Sequence, residues 1–301
     1  WVNWMIENKK IDILMATYNG EKYLVEQLDS IINQTYRNWN LLIRDDNSTD
    51  KTLEIIQNYH KKDKRIKILK DNKGNLGIVR NFEELLKSSE SEFIMFSDQD
   101  DIWVENKLDM YLKMIEKIKN KGFMIHSDAI LFDKNKSNIL KDTFISKKAI
   151  NKGLENVFFN YFVQGATILI SKEIKNFILP FPKEVYLHDR YIHLISELFF
   201  ERIFVKKALI YYRQHGDNQI GAKNTVRELL SKRYFDERDR QLIKVIYNKY
   251  GSLLTEDKRK LIEEYFKITD IEKNRFNRFL NLKKSKISIP LKKQISFIVK
   301  G

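Results

Sequence analysis

The stretch "IDILMATYNGEKYLVEQLDSIINQTYRNWNLLIRD", residues 11–45, decides the fold. Its first seven residues are mostly apolar and predict a buried β-strand, and residues 40–45 predict a second strand. Between them, residues 21–34 carry apolar side chains at helical spacing. A strand, a helix and a strand in this order predict a right-handed βαβ unit with parallel strands.

The same alternation continues through the first half of the chain. Further strands are predicted at residues 65–71, 92–98 and 123–133, and further helices at residues 52–62, 78–89 and 104–120. This order predicts an α/β protein with a mostly parallel, Rossmann-like sheet covered by helices on both faces.

The second half is less regular. Strands are predicted at residues 163–171 and 202–212, and a helix at residues 189–200. From about Thr225 the pattern is helical to the end, with interruptions near Gly251 and Pro290. We therefore predict a sheet domain over residues 1–221 and a basic helical C-terminal appendage over residues 222–301.

The composition excludes several classes of site. The chain has no Cys, which excludes disulfides, thiolate metal sites and cysteine nucleophiles. Its 301 residues are 43% hydrophobic, enough to bury a full core. The first ten residues lack the features of a secretory signal, and no stretch approaches the ~20 apolar residues of a membrane span. We therefore expect a cytoplasmic protein.

Most of the formal charge of +14 lies in the C-terminal region. From Ala222 to Gly301 there are 21 Lys and Arg against 10 Asp and Glu, a net charge of +11, which leaves +3 for the preceding residues. Beyond Glu272 there is no acidic residue, and basic residues alternate with apolar ones. This pattern suits the interface of an anionic membrane, and it equally suits a solvated helix pair packed on the main domain.

Polar residues follow each of the first four predicted strands. The clusters are "TYNGE" at 17–21, "DDNSTD" at 45–50, "DNKGNLG" at 71–77 and "SDQDD" at 97–101. A single cluster of this kind is an ordinary turn or helix cap. Four in succession predict a ligand-binding crevice, because ligands in open α/β sheets bind outside the carboxyl ends of the strands.

Three carboxylates, those of Asp98, Asp100 and Asp101, end the fourth predicted strand. In an extended segment Asp98 and Asp100 project to the same side, and protonation of one or capture of a cation relieves their repulsion. Oxygen ligands without Cys favour Mg²⁺ or Mn²⁺, completed by substrate phosphate oxygens. Alternatively, Asp100 or Asp101 caps the helix predicted from Val104, which would explain one of the three carboxylates.

A metal ion in such a crevice indicates a nucleoside-diphosphate ligand. Asp45 and Asp46 are candidate acceptors for the base or the ribose, and Thr17 and Tyr18 are candidates to line the base. Glu21, in the same first loop, is a further nucleotide-binding candidate.

These segments also resemble a known family. Residues 13–52, 75–89 and 96–103 ("FSDQDDIW") are similar to the nucleotide-binding half of glycosyltransferase family 2, whose members have the GT-A fold. The later segments "QGATILIS" (164–171), "HDRY" (188–191) and "YRQHGDNQIG" (212–221) resemble its bacterial rhamnosyltransferase-like branch. The resemblance covers about residues 10–221 and rests on the order and spacing of the motifs.

The resemblance implies an inverting, metal-dependent transferase that uses a nucleoside-diphosphate sugar. Residues 98–100 stand at the family's DXD motif, with Asp100 as direct metal ligand and Asp98 near the ribose and the metal. Asp45 matches the acidic residue that contacts the base, and Thr17 lies in the first nucleotide-binding loop.

Asp189 matches the family's catalytic base, although this chain has His188 where the family often has Glu. Inversion needs a carboxylate that accepts the proton of the attacking acceptor hydroxyl. Without the resemblance, Asp189 would be interpreted as a helix N-cap.

The remaining site candidates are less specific. The resemblance places the segment of Arg213 and His215 near the diphosphate, where Arg would contact phosphate and a neutral His would bind the metal, although a lone His is more often structural. Trp103 would wall the sugar site or belong to the core. Gln164 and Gly165 would shape the acceptor side, or Gly165 would serve a backbone turn.

We therefore expect a transferase that extends a cell-surface polysaccharide, such as a capsule or O-antigen, or its lipid-linked precursor, peripherally bound at the inner face of a bacterial plasma membrane. dTDP-L-rhamnose is one expected donor, and a UDP-hexose or UDP-N-acetylhexosamine is the alternative. A nucleotidyl- or phosphoryl-transferring enzyme is less favoured, because the chain has no G-x-x-x-x-G-K-[ST] loop. A nucleic-acid-binding module ranks last, because the positive charge lies away from the motifs, so we expect no nucleic-acid partner.

Overall fold

The computed structural model describes residues 9–133, 138–143, 153–215 and 236–289. These residues form two compact units. Unit 1 holds residues 9–133, 138–143, 163–181 and 200–215, and unit 2 holds residues 153–162, 182–199 and 236–289. The boundary predicted at residue 221 lies outside the described residues, and unit 2 also takes in two segments that precede it. The division at that residue stays a prediction.

Unit 1 is built on a mixed sheet with nine described strands. They are β1 (Ile11–Thr17), β2 (Trp39–Asp45), β3 (Ile66–Ile68), β4 (Phe93–Ser97), β5 (Ile102–Trp103), β6 (Phe123–Asp133), β7 (Ile139–Lys141), β8 (Leu169–Ser171) and β9 (Glu201–Gln214). The strand order is β3-β2-β1-β4-β8-β6-β9-β5, with β7 paired to β6.

The first four strands of this order are parallel, as predicted. The other half is mixed, because β8 runs antiparallel to both β4 and β6, and β5 runs antiparallel to β9. The α/β class is therefore confirmed, while the parallel arrangement predicted for most of the sheet holds for the pair of β6 and β9 and for the half formed by β3, β2, β1 and β4. That half brings the carboxyl ends of β1, β2 and β4 to one edge.

Ten helices are described along the chain. They are α1 (Leu24–Ile32), α2 (Thr52–Lys62), α3 (Gly77–Ser88), α4 (Lys107–Ile115), α5 (Leu154–Val157), α6 (Lys172–Ile178), α7 (His188–Phe199), α8 (Glu237–Tyr250), α9 (Glu256–Thr269) and α10 (Arg275–Lys284). Helices α1 to α4 and α6 belong to unit 1. α1 shows why they form: Leu24, Leu28 and Ile31 recur at helical spacing and are fully buried in the sheet core.

Two local expectations for unit 1 are wrong. The strand predicted over residues 163–171 begins instead with a 3₁₀ turn at Gly165–Thr167, and only β8 pairs with the sheet. The helix predicted from Val104 begins three residues later, because residues 102–103 pair with β9 as the short strand β5.

The described residues of unit 2 form the helices α5, α7, α8, α9 and α10 and the segments between them. Most residues of α7 are buried. Phe158, just after α5, stacks on Tyr265 of α9 with ring centroids 4.7 Å apart. Phe199 at the end of α7 meets Tyr250 of α8 edge to face. α8, α9 and α10 agree with the helical pattern predicted for the C-terminal region. None of the helices within the described ranges is both long and apolar enough to cross a membrane.

Candidate functional site

The three carboxylates lie in the loop that joins β4 to β5, as the polar clusters predict. The Oδ2 atom of Asp100 is 2.8 Å from Nε2 of His215, the residue that follows β9. The side chains of His215 and Asp100 are only 10% and 18% exposed. β5 pairs with β9, so the sheet itself brings together two groups that are 115 positions apart in the sequence.

Arg213 fixes this loop through hydrogen bonds and contacts with aromatic rings. Its Nε atom donates to the backbone oxygen of Asp100 at 2.8 Å, and Nη2 donates to Glu26 Oε2 at 2.6 Å. The guanidinium also lies 4.4 Å from the ring centroid of Tyr23 and 4.6 Å from that of Phe132. The side chain is 1% exposed, so we assign Arg213 to positioning of this loop, residues 98–101, rather than to direct phosphate contact. We name it the metal loop after its predicted role.

Asp101 is fully buried, and its Oδ1 atom accepts a hydrogen bond from the backbone nitrogen of Arg213 at 3.1 Å. Burial, with the nearby charges of Asp100 and Asp98, raises the pKa of this carboxyl well above its ordinary value. Asp101 does not cap α4, whose N-cap position is Asn106. The capping alternative is therefore wrong, and Asp101 secures the loop to β9.

Beneath the loop, the fully buried Lys107 donates to the backbone oxygen of Ala166 at 2.7 Å. Burial lowers the pKa of its ammonium group well below the usual range. The same ammonium group lies 3.6 Å from the ring centroid of Trp103, which is 3% exposed and belongs to the core of unit 1. Of the two alternatives for Trp103, the structure agrees with a core residue, because a ring that is 3% exposed offers no surface to a sugar.

The residues predicted to bind the nucleotide lie where β1 and β2 end. Thr17 Oγ1 donates to Asp45 Oδ1 at 2.9 Å, and the backbone nitrogen of Ser48 donates to Asp45 Oδ2 at 2.8 Å. Thr17 is 1% exposed, whereas Asp45 is partly exposed and Tyr18 is 50% exposed. Thr17 thus orients Asp45, and Asp45 and Tyr18 remain accessible to a ligand.

Asp46, by contrast, is 3% exposed. Its carboxylate accepts from Arg44 at 2.7 Å and from the backbone nitrogens of Leu76 and Gly77 at 2.8 and 2.7 Å. We therefore assign Asp46 to fixing the start of α3. Arg44 also binds Asp71, and this contact lowers the pKa of Asp71 to about 2.

Gln99, the middle residue of the acidic motif, was not among the predicted site residues. Its side-chain amide accepts from the backbone nitrogen of Tyr18 and donates to the backbone oxygen of the same residue, both at 2.9 Å. A Cβ on Gly20 would lie 2.4 Å from Gln99 Oε1, so the glycine makes room for this contact. Gln99 therefore ties residues 98–101 to the loop that follows β1. Glu21 lies beside them on the exposed surface, where its carboxylate accepts from the backbone nitrogen of Lys51.

Gln164 and Gly165 lie where the 3₁₀ turn begins. The backbone oxygen of Gln164 accepts from the nitrogen of Thr167 at 2.9 Å, and its side chain hydrogen-bonds Tyr212. Gly165 is buried and starts the turn, in line with the backbone-turn alternative.

The side chains of this loop and of His215 fit a metal ion that takes its remaining ligands from a bound substrate. In the described part of the chain, no three His, Asp or Glu side chains converge on a single metal position. Asp100 and His215 nevertheless place an oxygen and a nitrogen donor side by side, with Asp98 in the same loop. Mn²⁺ accepts both donor types, and Mg²⁺ and Mn²⁺ commonly take their remaining ligands from substrate phosphates and water.

In unit 2, Asp189 occupies the first turn of α7 and is 6% exposed. Its Oδ1 atom accepts from the backbone nitrogen of Arg190 at 2.8 Å, and its carboxylate is hydrogen-bonded by the hydroxyl of Tyr161. These two contacts fix the orientation of the carboxylate at the start of α7. Tyr161 was not predicted, because it lies in an irregular stretch without periodic signal.

Arg190 fixes the surroundings of Asp189. Its guanidinium donates to the backbone oxygens of Val157 and Phe158 at 3.0 Å each, and to Asp239 Oδ1 at 2.9 Å. Asp239 lies in the first turn of α8 and also accepts from the hydroxyl of Tyr186 at 2.8 Å. A helix of the predicted appendage therefore helps to position the segment that carries the candidate base.

Comparison with solved structures identifies the fold. TarS of S. aureus, solved in complex with UDP-GlcNAc, superposes with a TM-score of 0.62 at 20% identity and covers 96% of this chain and 79% of its own. A mannosyltransferase from Pyrobaculum calidifontis, solved with GDP-Man and Mn²⁺, superposes with a TM-score of 0.57 at 12% identity, covering 97% and 80%. At these identities the likeness shows the fold, which is the expected GT-A fold.

Comparison of sequences identifies the family. The dTDP-rhamnosyl transferase RfbG of Shigella flexneri is 33% identical over 230 residues, 69% of this chain and 74% of the relative. The UDP-Glc:alpha-D-GlcNAc-diphosphoundecaprenol beta-1,3-glucosyltransferase WfgD of Escherichia coli is 35% identical over 187 residues, 61% and 68% of the two chains. The profile of Glycosyl transferase family 2 matches residues 12–171, more than half of the chain. The chain therefore belongs to glycosyl transferase family 2 and is an enzyme that transfers a sugar.

Proposed function

We propose that this enzyme is an inverting, metal-dependent glycosyltransferase that moves a sugar from a nucleoside diphosphate to a growing cell-surface polysaccharide or its lipid-linked precursor. The observation that carries the proposal is the 2.8 Å contact between Asp100 and His215 at the end of the parallel strands. It supplies two metal donors in the unit that also presents Asp45 and Tyr18.

In this proposal, Asp100 and His215 hold Mn²⁺ or Mg²⁺, with Asp98 close to the ion and the ribose. The ion, when bound, neutralises the charge that develops on the leaving diphosphate. Asp45 accepts from the base, and Tyr18 lines it. Arg213 and Gln99 hold the metal loop through its backbone.

Asp189 is the proposed base. The acceptor hydroxyl forms a bond to the anomeric carbon as the bond to the diphosphate oxygen breaks, and the hydroxyl proton passes to the Asp189 carboxylate. Attack from the face opposite the leaving group inverts the configuration.

Asp189→Asn tests this role, because an amide keeps the shape but accepts no proton. We expect the variant to retain nucleotide binding and to lose transfer by at least about 100-fold. Full transfer activity in Asp189→Asn would remove the assignment of the base.

For the donor, the similarity to RfbG favours dTDP-L-rhamnose. The comparable similarity to WfgD keeps a UDP-hexose as the second candidate. A thermal-shift series with dTDP, UDP and GDP, each with and without Mn²⁺, decides between them, because a ligand that binds only the folded state raises its stability. A Mn²⁺-dependent shift that is larger for dTDP supports the rhamnosyl donor. The absence of a shift with every nucleotide would contradict the whole site.

We further propose that α10 contacts an anionic membrane. Phe276 and Leu280, one turn apart, are 68% and 38% exposed, and Lys283 and Lys284 are exposed on the next turn. Apolar and basic side chains together on one helix are typical of interfacial binding. Co-sedimentation with phosphatidylglycerol vesicles, but not with phosphatidylcholine vesicles, is the expected result. Phe276→Ser should weaken it and Leu253→Ser, at a 63% exposed control position, should not.

A further inference from the structure

Tyr161 is an exposed aromatic residue in a buried segment of unit 2. The residue is 37% exposed, whereas Phe159 and Phe162 on either side are 3% and 5% exposed. An exposed aromatic ring with a polar tip is suited to a ligand that is apolar on one face and hydrogen-bonding at its edge.

The tip of this ring reaches Asp189. The Tyr161 hydroxyl hydrogen-bonds the carboxylate, and burial of the hydroxyl, together with the charge of Asp189, raises the pKa of Tyr161 well above its ordinary value. Tyr161 is therefore the hydrogen-bond donor to Asp189 at neutral pH. The residue as a whole is 37% exposed, while its hydroxyl is engaged with Asp189.

The segment that carries Tyr161 is fixed relative to α7. Arg190 of α7 binds the backbone oxygens of Val157 and Phe158, and Phe162 meets His193 of α7 edge to face with ring centroids 4.8 Å apart. Contacts on both sides therefore hold the backbone that carries Tyr161 against α7. Such preorganisation lowers the entropic cost of binding.

We propose that Tyr161 forms an acceptor subsite in which its exposed ring packs against one face of a pyranose sugar. The proposal rests on the role of Asp189 as base. A pyranose has a C–H face that suits an aromatic ring, and its hydroxyls lie at the edge of the ring. A sugar packed on Tyr161 would bring one of its hydroxyls beside the Asp189 carboxylate.

A purely structural tyrosine would behave differently. If Tyr161 served only to orient Asp189, loss of its hydroxyl would matter and its ring would not. If the ring binds the acceptor, Tyr161→Phe keeps acceptor affinity, whereas Tyr161→Ala loses it.

The test uses the full chain and a panel of methyl glycosides of glucose, galactose, rhamnose and N-acetylglucosamine, in the presence of Mn²⁺ and UDP or dTDP. Dissociation constants are measured by saturation-transfer NMR titration. For the best-binding glycoside we expect Tyr161→Ala to raise Kd about tenfold, and Tyr161→Phe to change it less than about threefold. Tyr211→Ala removes a tyrosine of the same 37% exposure on β9 and should leave Kd unchanged.

Nucleotide binding distinguishes a failure of the acceptor subsite from a failure of the proposed function. The nucleotide-induced thermal shift should be the same in all three variants and in the parent chain. If the parent binds a nucleotide but no glycoside, or if Tyr161→Ala binds glycosides as the parent does, the subsite is rejected while the donor site stands. If Tyr161→Phe loses as much affinity as Tyr161→Ala, the hydroxyl rather than the ring is responsible, and the subsite is again rejected. If the parent binds no nucleotide, the proposed function itself fails.

Discussion

Two buried arginines serve the two candidate catalytic regions in different ways. Arg213 in unit 1 and Arg190 in unit 2 are each 1% exposed, and each binds one carboxylate and main-chain oxygen. The carboxylate partner of Arg213 is Glu26, which is 43% exposed, whereas Asp239, the partner of Arg190, is 16% exposed.

The difference shows how strongly each region depends on its arginine. A buried charge that loses a buried partner costs several kcal/mol, whereas a partner that reaches solvent is easily replaced by water. Arg190 also binds three backbone oxygens of a neighbouring segment, those of Val157, Phe158 and Asn160. We therefore expect the metal loop to tolerate change better than the surroundings of Asp189.

Arg190→Met should have the largest effect on stability. The substitution removes the guanidinium that binds Asp239 and the backbone oxygens of Val157 and Phe158, so we expect a loss of about 3–5 kcal/mol in the free energy of unfolding. Urea denaturation followed by circular dichroism measures it. Arg238→Met is the control, because Arg238 is 65% exposed and its pair with Asp236 should contribute less than about 1 kcal/mol. Equal losses in the two variants would contradict the distinction.

Arg213→Met should cost less stability, about 2–3 kcal/mol, because one charged hydrogen bond to a backbone oxygen and a half-exposed pair are lost. The metal loop then loses the hydrogen bond that Arg213 donates to the backbone oxygen of Asp100. We expect the Mn²⁺-dependent part of the nucleotide thermal shift to fall, while the shift without Mn²⁺ is retained. An unchanged Mn²⁺ dependence would show that Arg213 does not position the loop.

Glu26→Gln should have the smallest effect. The amide keeps an oxygen acceptor for Arg213, and the side chain is partly solvated, so we expect less than about 1 kcal/mol of lost stability and a retained Mn²⁺-dependent shift. A loss as large as that of Arg213→Met, in the same urea titration, would mean that the charge of Glu26 is essential despite its exposure.

The sequence predicted the parallel half of the sheet well, because β1, β2 and β4 are apolar runs buried on both faces and end in polar clusters. It could not distinguish the adjacent Asp45 and Asp46. Successive residues of a chain leaving a strand point in different directions, and only the loop that arrives from α3 decides that Asp46 is enclosed.

The supporting contacts escaped prediction for a related reason. Arg190 and Asp239 are 49 positions apart, and Arg213 and Glu26 are 187 apart. Residues so far apart produce no pattern within a local stretch of sequence. The sequence also does not distinguish a buried arginine from an exposed one. Gln99 was the exception that could have been found, since an amide between two carboxylates, with a glycine in the facing loop, is a specific combination.

The position of β5 at the edge of the sheet also bears on how the chain folds during synthesis. Among the described strands, the neighbour of β5 is β9, which is synthesised about a hundred residues later. On an emerging chain, the acidic loop therefore has no strand to hold its far end until β9 has joined β6. Contacts of such long sequence separation form late. A nascent or truncated chain that ends before β9 would carry all three carboxylates and still lack the geometry to use them.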